Sequence, residues 1–444
     1  MEAKSRLSRR TFLEVAGGTA LATSLAGCFG VGGGQGSTSS NKSTVTIWDI
    51  DTGATQQLVQ NQTTTFNNTH PNIHAIIQFY ENDPYKQKLQ VAMGAHNPPD
   101  IFFGWGGGIL KSYVDAGDVY DLTSALNADP SWKGRYLTSV FPSVTFNGKI
   151  YGVPLNNTQP IVFFYNKDIF SKAGVTPPQT WNDLLNVVQK LKQQNVKTPI
   201  AVAGASQWTY LMYAEYLTDR YGGPSAFQNV LANKPNAWSQ DAFIKAFTAI
   251  QQLVNAGAFG STFSSVSADT NADAALLYTG KAAMMLQGTW NFPVFQTNSP
   301  SFIQGDKLGW FSFPTVEGGT GNADNLVGGP CNYYSISSAS KSPQAAITYL
   351  KDAVLNPTAV SKWISLGDVP VVNGISQQLS SAPNSAWLEY VYQSVQKAPD
   401  FQLSWDQALG PTPANAVLTN LSQLFLNKIT PQQFADNMNK TIGQ

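Results

Sequence analysis

VTIWDIDTGATQQLVQNQTTTFNNTHPNIHAIIQFYENDPYKQKLQVAMGAHNPPDIFFGW, residues 45–105, is the stretch from which the architecture is read. It opens on a short apolar run, Val45-Thr46-Ile47-Trp48, that predicts a strand. Gln56 to Thr69 suits a helix, and Ile73 to Phe79 a second, largely buried strand. Tyr85, Leu89, Ala92 and Met93 mark one face of another helix, because residues three and four apart share a face. Pro98-Pro99 breaks it, and Asp100-Ile101-Phe102-Phe103 makes a third strand. Strand–helix–strand–helix–strand is the pattern of a parallel sheet covered by helices, an α/β fold.

The same alternation continues downstream. Ile161 to Tyr165 and Pro199 to Ala203 read as strands, and Leu184, Val188 and Leu191 as a helical face with Thr180 placed to cap it. Phe243, Phe247, Ile250 and Val254 form a helical stripe ended by Gly257. Leu308 to Phe313 and Tyr333 to Ile336 are strand-like. The last third is helical: Ser342-Pro343 starts a helix carrying Ile347, Leu350 and Val354, and Leu418, Leu421 and Phe425 continue the pattern. No tandem repeat and no composition shift follow residue 45, so the halves of the chain are expected to interweave.

The N-terminus carries an address. Ser8-Arg9-Arg10-Thr11-Phe12-Leu13 has the twin-arginine export pattern, followed by a weakly apolar stretch from Val15 to Leu25. Leu25-Ala26-Gly27-Cys28 resembles a lipobox, the site at which a signal peptide is cut and lipid attached to the new N-terminal Cys28. The apolar run is shorter than the ~20 residues a bilayer span needs. Residues 1–27 thus read as a lipoprotein signal peptide and 28–44, rich in Gly, Ser and Thr, as a flexible tether. The expected location is extracytoplasmic, with the protein lipid-anchored through Cys28 to the outer face of the cytoplasmic membrane.

Removal of residues 1–27 leaves 23 basic and 25 acidic residues, a net charge of −2. That balance argues against nucleic-acid binding, which needs a strongly basic surface. Charged residues are 12% of the chain, about half the ~25% usual for soluble domains, and Asn, Gln, Ser and Thr replace them. Such a surface fits an uncharged partner. With Cys28 acylated, Cys331 has no partner for an intramolecular disulfide, so stability must come from a large core.

Several segments together resemble the maltose-binding-protein-like family of extracellular solute-binding proteins, the sugar receptors of ABC importers. Asn97-Pro98-Pro99-Asp100-Ile101-Phe102-Phe103-Gly104-Trp105 resembles the family's third strand. Gly148-Lys149-Ile150-Tyr151-Gly152-Val153-Pro154, with Phe164-Tyr165-Asn166-Lys167-Asp168, resembles its first interdomain crossing. Gly280-Lys281-Ala282-Ala283-Met284-Met285-Leu286-Gln287-Gly288-Thr289-Trp290 is the most specific of the set, and Leu366-Gly367-Asp368-Val369-Pro370-Val371 resembles the last crossing. The resemblance implies a two-lobe periplasmic-binding-protein fold of type II with three hinge segments. Lobe one would be 45–157 plus 329–366, and lobe two 158–328 plus 371–444. It also implies a monomer without cofactor or metal that binds a carbohydrate between its lobes and passes it to ABC permease subunits. The Trp-Gly-Gly-Gly loop and the Val327 to Tyr334 run are similar to those of receptors for di- and short oligosaccharides such as xylobiose.

A sugar presents C–H faces that pack on aromatic planes and hydroxyls that pair with carboxylates and amides. Trp105 just beyond a buried strand, Trp290 after the Met-Met-Leu-Gln strand, and Trp208 ahead of Tyr210 after the strand ending at Ala203 are the expected stacking residues. Gly106 and its neighbours would let backbone approach a ligand. Trp405 is as much a core candidate as a cleft one. For hydroxyls the candidates are Asp49 and Asp51 after the first strand, Glu81 after the second, Asn157 and Gln159 at the first hinge, Gly329 with its backbone N–H at the second, and Asp368 at the third. Asp51 could instead cap the following helix.

Two other classes compete. A secreted carbohydrate-active hydrolase needs paired carboxylates. Beyond residue 27 only Glu81, Glu215, Glu317 and Glu389 are glutamates, and none sits in a hydrolytic motif, although aspartates could serve. A receptor for iron or peptide is the other possibility. Adjacent tyrosines such as Tyr333-Tyr334 can ligate iron, but strand neighbours point to opposite faces, and His70, His74 and His96 lack ligand spacing. No catalytic residue or metal ligand is assigned.

Overall fold

In the computed structural model, which describes residues 42–444, Val45, Ile47 and Asp49 are buried and alternate with half-exposed neighbours along the first strand. The signal-peptide residues 1–27, Cys28 and the tether to residue 41 lie outside the described residues. Ser43 and Thr44, read as tether, instead begin the strand, in register with Ile73 and His74.

Thirteen strands occur among the described residues. β1 (Ser43–Asp49), β2 (Ile73–Phe79) and β3 (Ile101–Gly104) fall where expected, although β2 is an edge strand that buries only Ala75 rather than a largely buried one, and β4 (Thr145–Phe146) and β5 (Lys149–Ile150) form a small hairpin. β6 (Val153–Pro154) leads into the long β7 (Gln159–Asn166), followed by β8 (Thr198–Ala201), β9 (Ala282–Gly288) and β10 (Leu308–Phe311). β11 (Leu326–Gly329), β12 (Tyr333–Ile336) and β13 (Phe401–Leu403) complete the set. One sheet has the order β2-β1-β3-β12-β6, and a second has β13-β11-β7-β9-β8 with β10 also on β7. β1 runs parallel to β2 and β3, as the opening pattern predicts, whereas β12 returns antiparallel to β3 and β6.

The chain crosses between the sheets between β6 and β7, again between β11 and β12, and a third time near residues 366–371. The crossings lie side by side. Thr158 N–H donates to Val369 O at 3.0 Å, Val371 N–H to Asn156 O at 3.1 Å, and Leu155 N–H to Asn332 O at 2.8 Å. The Asn157 amide donates to Asp368 Oδ1 at 2.6 Å.

Strand periodicity divides the core. On β7, Val162 and Phe164 join a hydrophobic cluster that runs on into the first sheet, while Ile161 and Phe163 join a second cluster on the opposite face. Trp387, on the Ser385–Lys397 helix, anchors the first cluster. It is fully buried, stacks on Phe292 at 4.9 Å and 7°, and donates through Nε1 to Gly367 O at 2.8 Å in the third crossing. Trp387→Ala removes both the packing and the bond. A loss of about 3–5 kcal/mol in urea-induced unfolding is expected from buried aromatic truncations.

Candidate functional site

Where the ends of the two sheets face each other there is a cavity of about 320 Å³. The first sheet contributes the loop after β1, the Asn82–Gly94 helix start and Trp105. The second contributes Trp208, Glu215, Ala268, Asp269, Asn271, Asp273, Gln287, Trp290, Leu403, Ser404, Asp406 and Gln407, and the crossings supply Asn156, Asn157, Gln159, Gly329, Asn332 and Asp368. Helices of the two lobes also touch: the Gly53–Thr69 helix meets Asn291–Asn298, and the Gly107–Asp115 helix meets Trp405–Ala408.

Four tryptophans line the cavity: Trp363, almost wholly buried, and the half-buried Trp105, Trp208 and Trp290. Trp105 is half-buried and braced edge-on by Phe103, with centroids 5.1 Å apart at 75°. Trp208 and Trp290 form one angled surface from the other side, at 6.0 Å and 51°. Trp290 folds back over Gly288, where an added Cβ would stand 1.9 Å from the indole. Lys86 sits between the two sides, 5.1 Å from the Trp105 ring centre and 6.0 Å from that of Trp208, and pairs with Asp406 Oδ2 across the cavity at 3.1 Å.

The polar lining is rich in unpaired oxygens. Asp51 Oδ2, Asn156 Oδ1, Glu215 Oε2, Asp269 Oδ1 and Asn332 Oδ1 are buried without a hydrogen-bond partner, and Trp208 Nε1 is the matching unpaired donor. Buried polar atoms in folded proteins are nearly always paired, so such a concentration marks a place where a ligand or water completes the bonding. Among the described lining residues seven are Asp or Glu, and Lys86 is the one Lys or Arg. Burial raises the pKa of several of these acids. Asp51 lies well above the ordinary carboxylate range through desolvation and then the charge of Asp49, and Asp368 is raised by desolvation. Desolvation, helped by Asp83, pushes Asp269 up to about 6.

Of the residues expected from sequence, Asp51, Glu81, Trp105, Asn157, Gln159, Trp208, Trp290, Gly329 and Asp368 all line this cavity. Asp51 does not cap the Gly53–Thr69 helix, whose N-cap is Thr52. Four expectations need correction. Asp49 faces inward with Val45 and Ile47, wholly buried, and accepts from the Tyr334 hydroxyl and the Asp51 N–H. Gly106 approaches protein rather than ligand, because a Cβ there would lie 2.5 Å from Ser143 O. Gly107 and Gly108 likewise press on the Gln407 and Ala408 carbonyls. Tyr210 is wholly buried and stacks on Phe425 at 4.1 Å, and Trp405 is wholly buried against Phe227 at 5.1 Å and 19°. Lys86, Glu215, Asp269 and Asn332 were not anticipated. The signal available for Glu215 was an acid within the nearly continuous apolar and aromatic run Leu211-Met212-Tyr213-Ala214-Glu215-Tyr216-Leu217.

A two-lobed α/β molecule with an aromatic, acceptor-rich cavity between its lobes belongs to the class of solute receptors. The chain is a member of the bacterial extracellular solute-binding proteins, whose family model matches residues 50–357. Members of this family are binding proteins rather than enzymes. A structure solved in work on xylan utilization by the thermophilic bacterium Caldanaerobius polysaccharolyticus superimposes with a TM-score of 0.81 at 29% identity, covering 90% of this chain and 100% of that one. The chain is 27% identical over 226 residues to the xylose/arabinose-binding protein XacG of Haloferax volcanii, across 50% of this chain and 47% of that protein. It is 27% identical over 307 residues to an ABC transporter extracellular-binding protein of Pyrococcus horikoshii, across 67% of this chain and 61% of the relative. The matches therefore span less than two thirds of these relatives' length. The fold is the type II arrangement, two lobes joined by three hinge segments. Tyr333 and Tyr334, both wholly buried, donate to Val140 O and Asp49 and lie outside the cavity lining.

Gly288→Ala is the sharpest probe of the aromatic surface, because its methyl group would occupy the Trp290 ring's place. The expected outcome is an altered near-ultraviolet circular dichroism band from the Trp208–Trp290 pair, with stability lowered by no more than about 1–3 kcal/mol, the range for overpacking.

Proposed function

We propose that this chain is the substrate-binding protein of a carbohydrate ABC importer, holding a neutral di- or oligosaccharide between its lobes. The observation that carries this reading is the pairing of three half-buried cavity tryptophans with five unpaired buried oxygen atoms. Indole faces suit the C–H surfaces of a pyranose, and the acceptors call for a ligand rich in O–H donors. The xylan-related structure and the pentose-binding relative support a plant-type di- or oligosaccharide such as xylobiose. The lobes correspond to 43–157 with 329–366, and 158–328 with 371–444. Asn157, Gln159, Gly329 and Asp368 belong to the hinge side of the cleft.

The lining acids disfavour an anion. A phosphate or citrate would meet buried carboxyl groups with Lys86 already paired to Asp406. The protein delivers its solute unchanged and works as a monomer tethered through lipidated Cys28 outside the cytoplasmic membrane, with permease subunits as its partners. A hydrolase is the competing reading, since carboxyl groups line the same cavity. Recovery of the sugar uncleaved separates the two.

The test is a thermal-shift screen of residues 42–444 against xylo-, cello-, malto- and chito-oligosaccharides, with ferric citrate, inorganic phosphate and peptides as controls. A ligand at ~100 times its dissociation constant adds about 2.7 kcal/mol of stability. One oligosaccharide series is expected to give that shift and to be recovered intact. A shift with phosphate, iron or peptide alone would sink the carbohydrate assignment. Trp290→Ala is expected to remove most of the sugar-dependent shift while leaving the melting temperature of the free protein nearly unchanged.

A further inference from the structure

The Leu211–Gly222 helix runs behind the cavity and is buried from Leu211 to Arg220. Glu215, in its middle, is 1% exposed and lines the cavity. Its Oε1 accepts two hydrogen bonds, from Ser404 Oγ at 2.8 Å and from the Trp405 N–H at 2.7 Å. Its Oε2 is buried with no partner. An ionised carboxylate here would keep one charged oxygen out of water with nothing donating to it, the least favourable state of a buried acid.

Among the described residues no cation offsets that charge. On the same helix, Asp219 and Arg220 pair with each other at 2.6 Å, and burial holds Tyr213 and Tyr216 neutral. The Trp405–Ala408 helix brings Asp406, which repels and is itself tied to Lys86. The Asp241–Asn255 helix, packed alongside, carries Asp241 and Lys245, which pair with each other at the surface. The Ser225–Leu231 helix, β9 and β11 carry no acid or base, and the Gln207–Tyr210 turn brings only Tyr210, held neutral by burial. With Oε1 already receiving two donors, a proton bound by this carboxyl belongs on Oε2.

We propose that Glu215 is a specificity-determining residue of the cleft, a neutral acid whose Oε2–H donates a hydrogen bond to an acceptor oxygen of the bound solute. This rests on the carbohydrate reading of the same cavity and refines it. Of the other unpaired lining atoms, Asn156 Oδ1 and Asn332 Oδ1 only accept and pair with hydroxyl hydrogens, Trp208 Nε1 only donates, and the Asp51 carboxyl, its pKa raised by burial, can donate as well. A sugar's ring and glycosidic oxygens only accept, and Glu215 and Trp208, with Asp51, are the unpaired groups equipped to meet them. Desolvation pushes the Glu215 pKa up to about 8, with the Trp405 and Ser404 bonds working the other way. The proton is thus held at neutral pH and leaves as the pH rises through that value, and the donor leaves with it.

The test compares wild type, Glu215→Gln and Glu215→Ala by calorimetric titration with xylobiose, cellobiose, maltose and N,N′-diacetylchitobiose at several pH values. Wild-type affinity for the sugar it binds is expected to be flat near neutrality and to fall toward about tenfold per pH unit above ~8. Glu215→Gln puts an amide N–H where the O–H was. It is expected to stay within about threefold of wild type at neutral pH and to lose the pH dependence, whereas Glu215→Ala loses at least about tenfold. In sugar-free protein the infrared difference between wild type and Glu215→Gln should contain a protonated-carboxyl stretch that fades through the same pH range. A glutamine variant as weak as the alanine one, a wild-type affinity flat into alkali, or a missing carboxyl band each overturns the proposal. If none of the four sugars binds while the band is present, the carbohydrate reading fails and the donor role fails with it. If a sugar binds and the band is missing, only the Glu215 proposal falls.

Discussion

The pairing of residues 155–158 with 368–371, joined by Asn332, is the constraint on which the cleft depends. These three crossings are hydrogen-bonded to one another through backbone and through the Asn157–Asp368 contact. They therefore fix how the ends of β3 and β12 face the ends of β7, β9 and β11. Each loop that leaves a strand at that edge is delivered into the same space, where open α/β sheets present their ligand sites. Trp105, Trp208 and Trp290 come from distant parts of the sequence, yet converge because each follows a strand that ends there.

Desolvation then decides the character of the space. A cavity with seven Asp or Glu residues would be strongly anionic in water. Here burial raises the pKa of Asp51, Asp368, Asp269 and Glu215, so the lining is less charged than its composition implies. Lys86 and Asp406 cancel across the gap. What remains is a set of oriented oxygen atoms between indole faces, suited to hydroxyl groups and poorly suited to an anion.

Much of this was legible in the sequence, and the exceptions have physical causes. β2 and β12 fall where periodicity put them, and the Thr180 capping box starts the Trp181–Gln193 helix as read. The antiparallel arrival of β12 beside β3 was not legible, because nothing local encodes a partner more than two hundred residues away. Period two would have corrected Asp49. It continues the inward phase of Val45 and Ile47, while Asp51 lies beyond the strand end. Trp208 and Tyr210 separate because the short helical turn through them points one to the cavity and the other to Phe425. Trp405 sits at the start of a helix whose first turn is held by Glu215, and this turns its ring into the core. The glycines after Trp105 have the expected close approach with a different neighbour: Ser143 O of the same lobe at Gly106, and the opposite lobe's Gln407 and Ala408 carbonyls at Gly107 and Gly108.

The central claim is that the cavity offers more unpaired acceptors than donors and is built to receive hydroxyl hydrogens. The most direct measurement is the affinity of residues 42–444 for a xylo-oligosaccharide set beside that for the same oligosaccharide with its hydroxyls O-methylated. Methylation keeps the ring faces and adds apolar surface while removing every O–H donor. The account predicts binding of the free sugar and loss of at least about a hundredfold on methylation, because several buried acceptors are then left unmatched at about 1–3 kcal/mol each. Equal or tighter binding of the methylated sugar would mean that aromatic burial alone holds the solute, and would contradict the account.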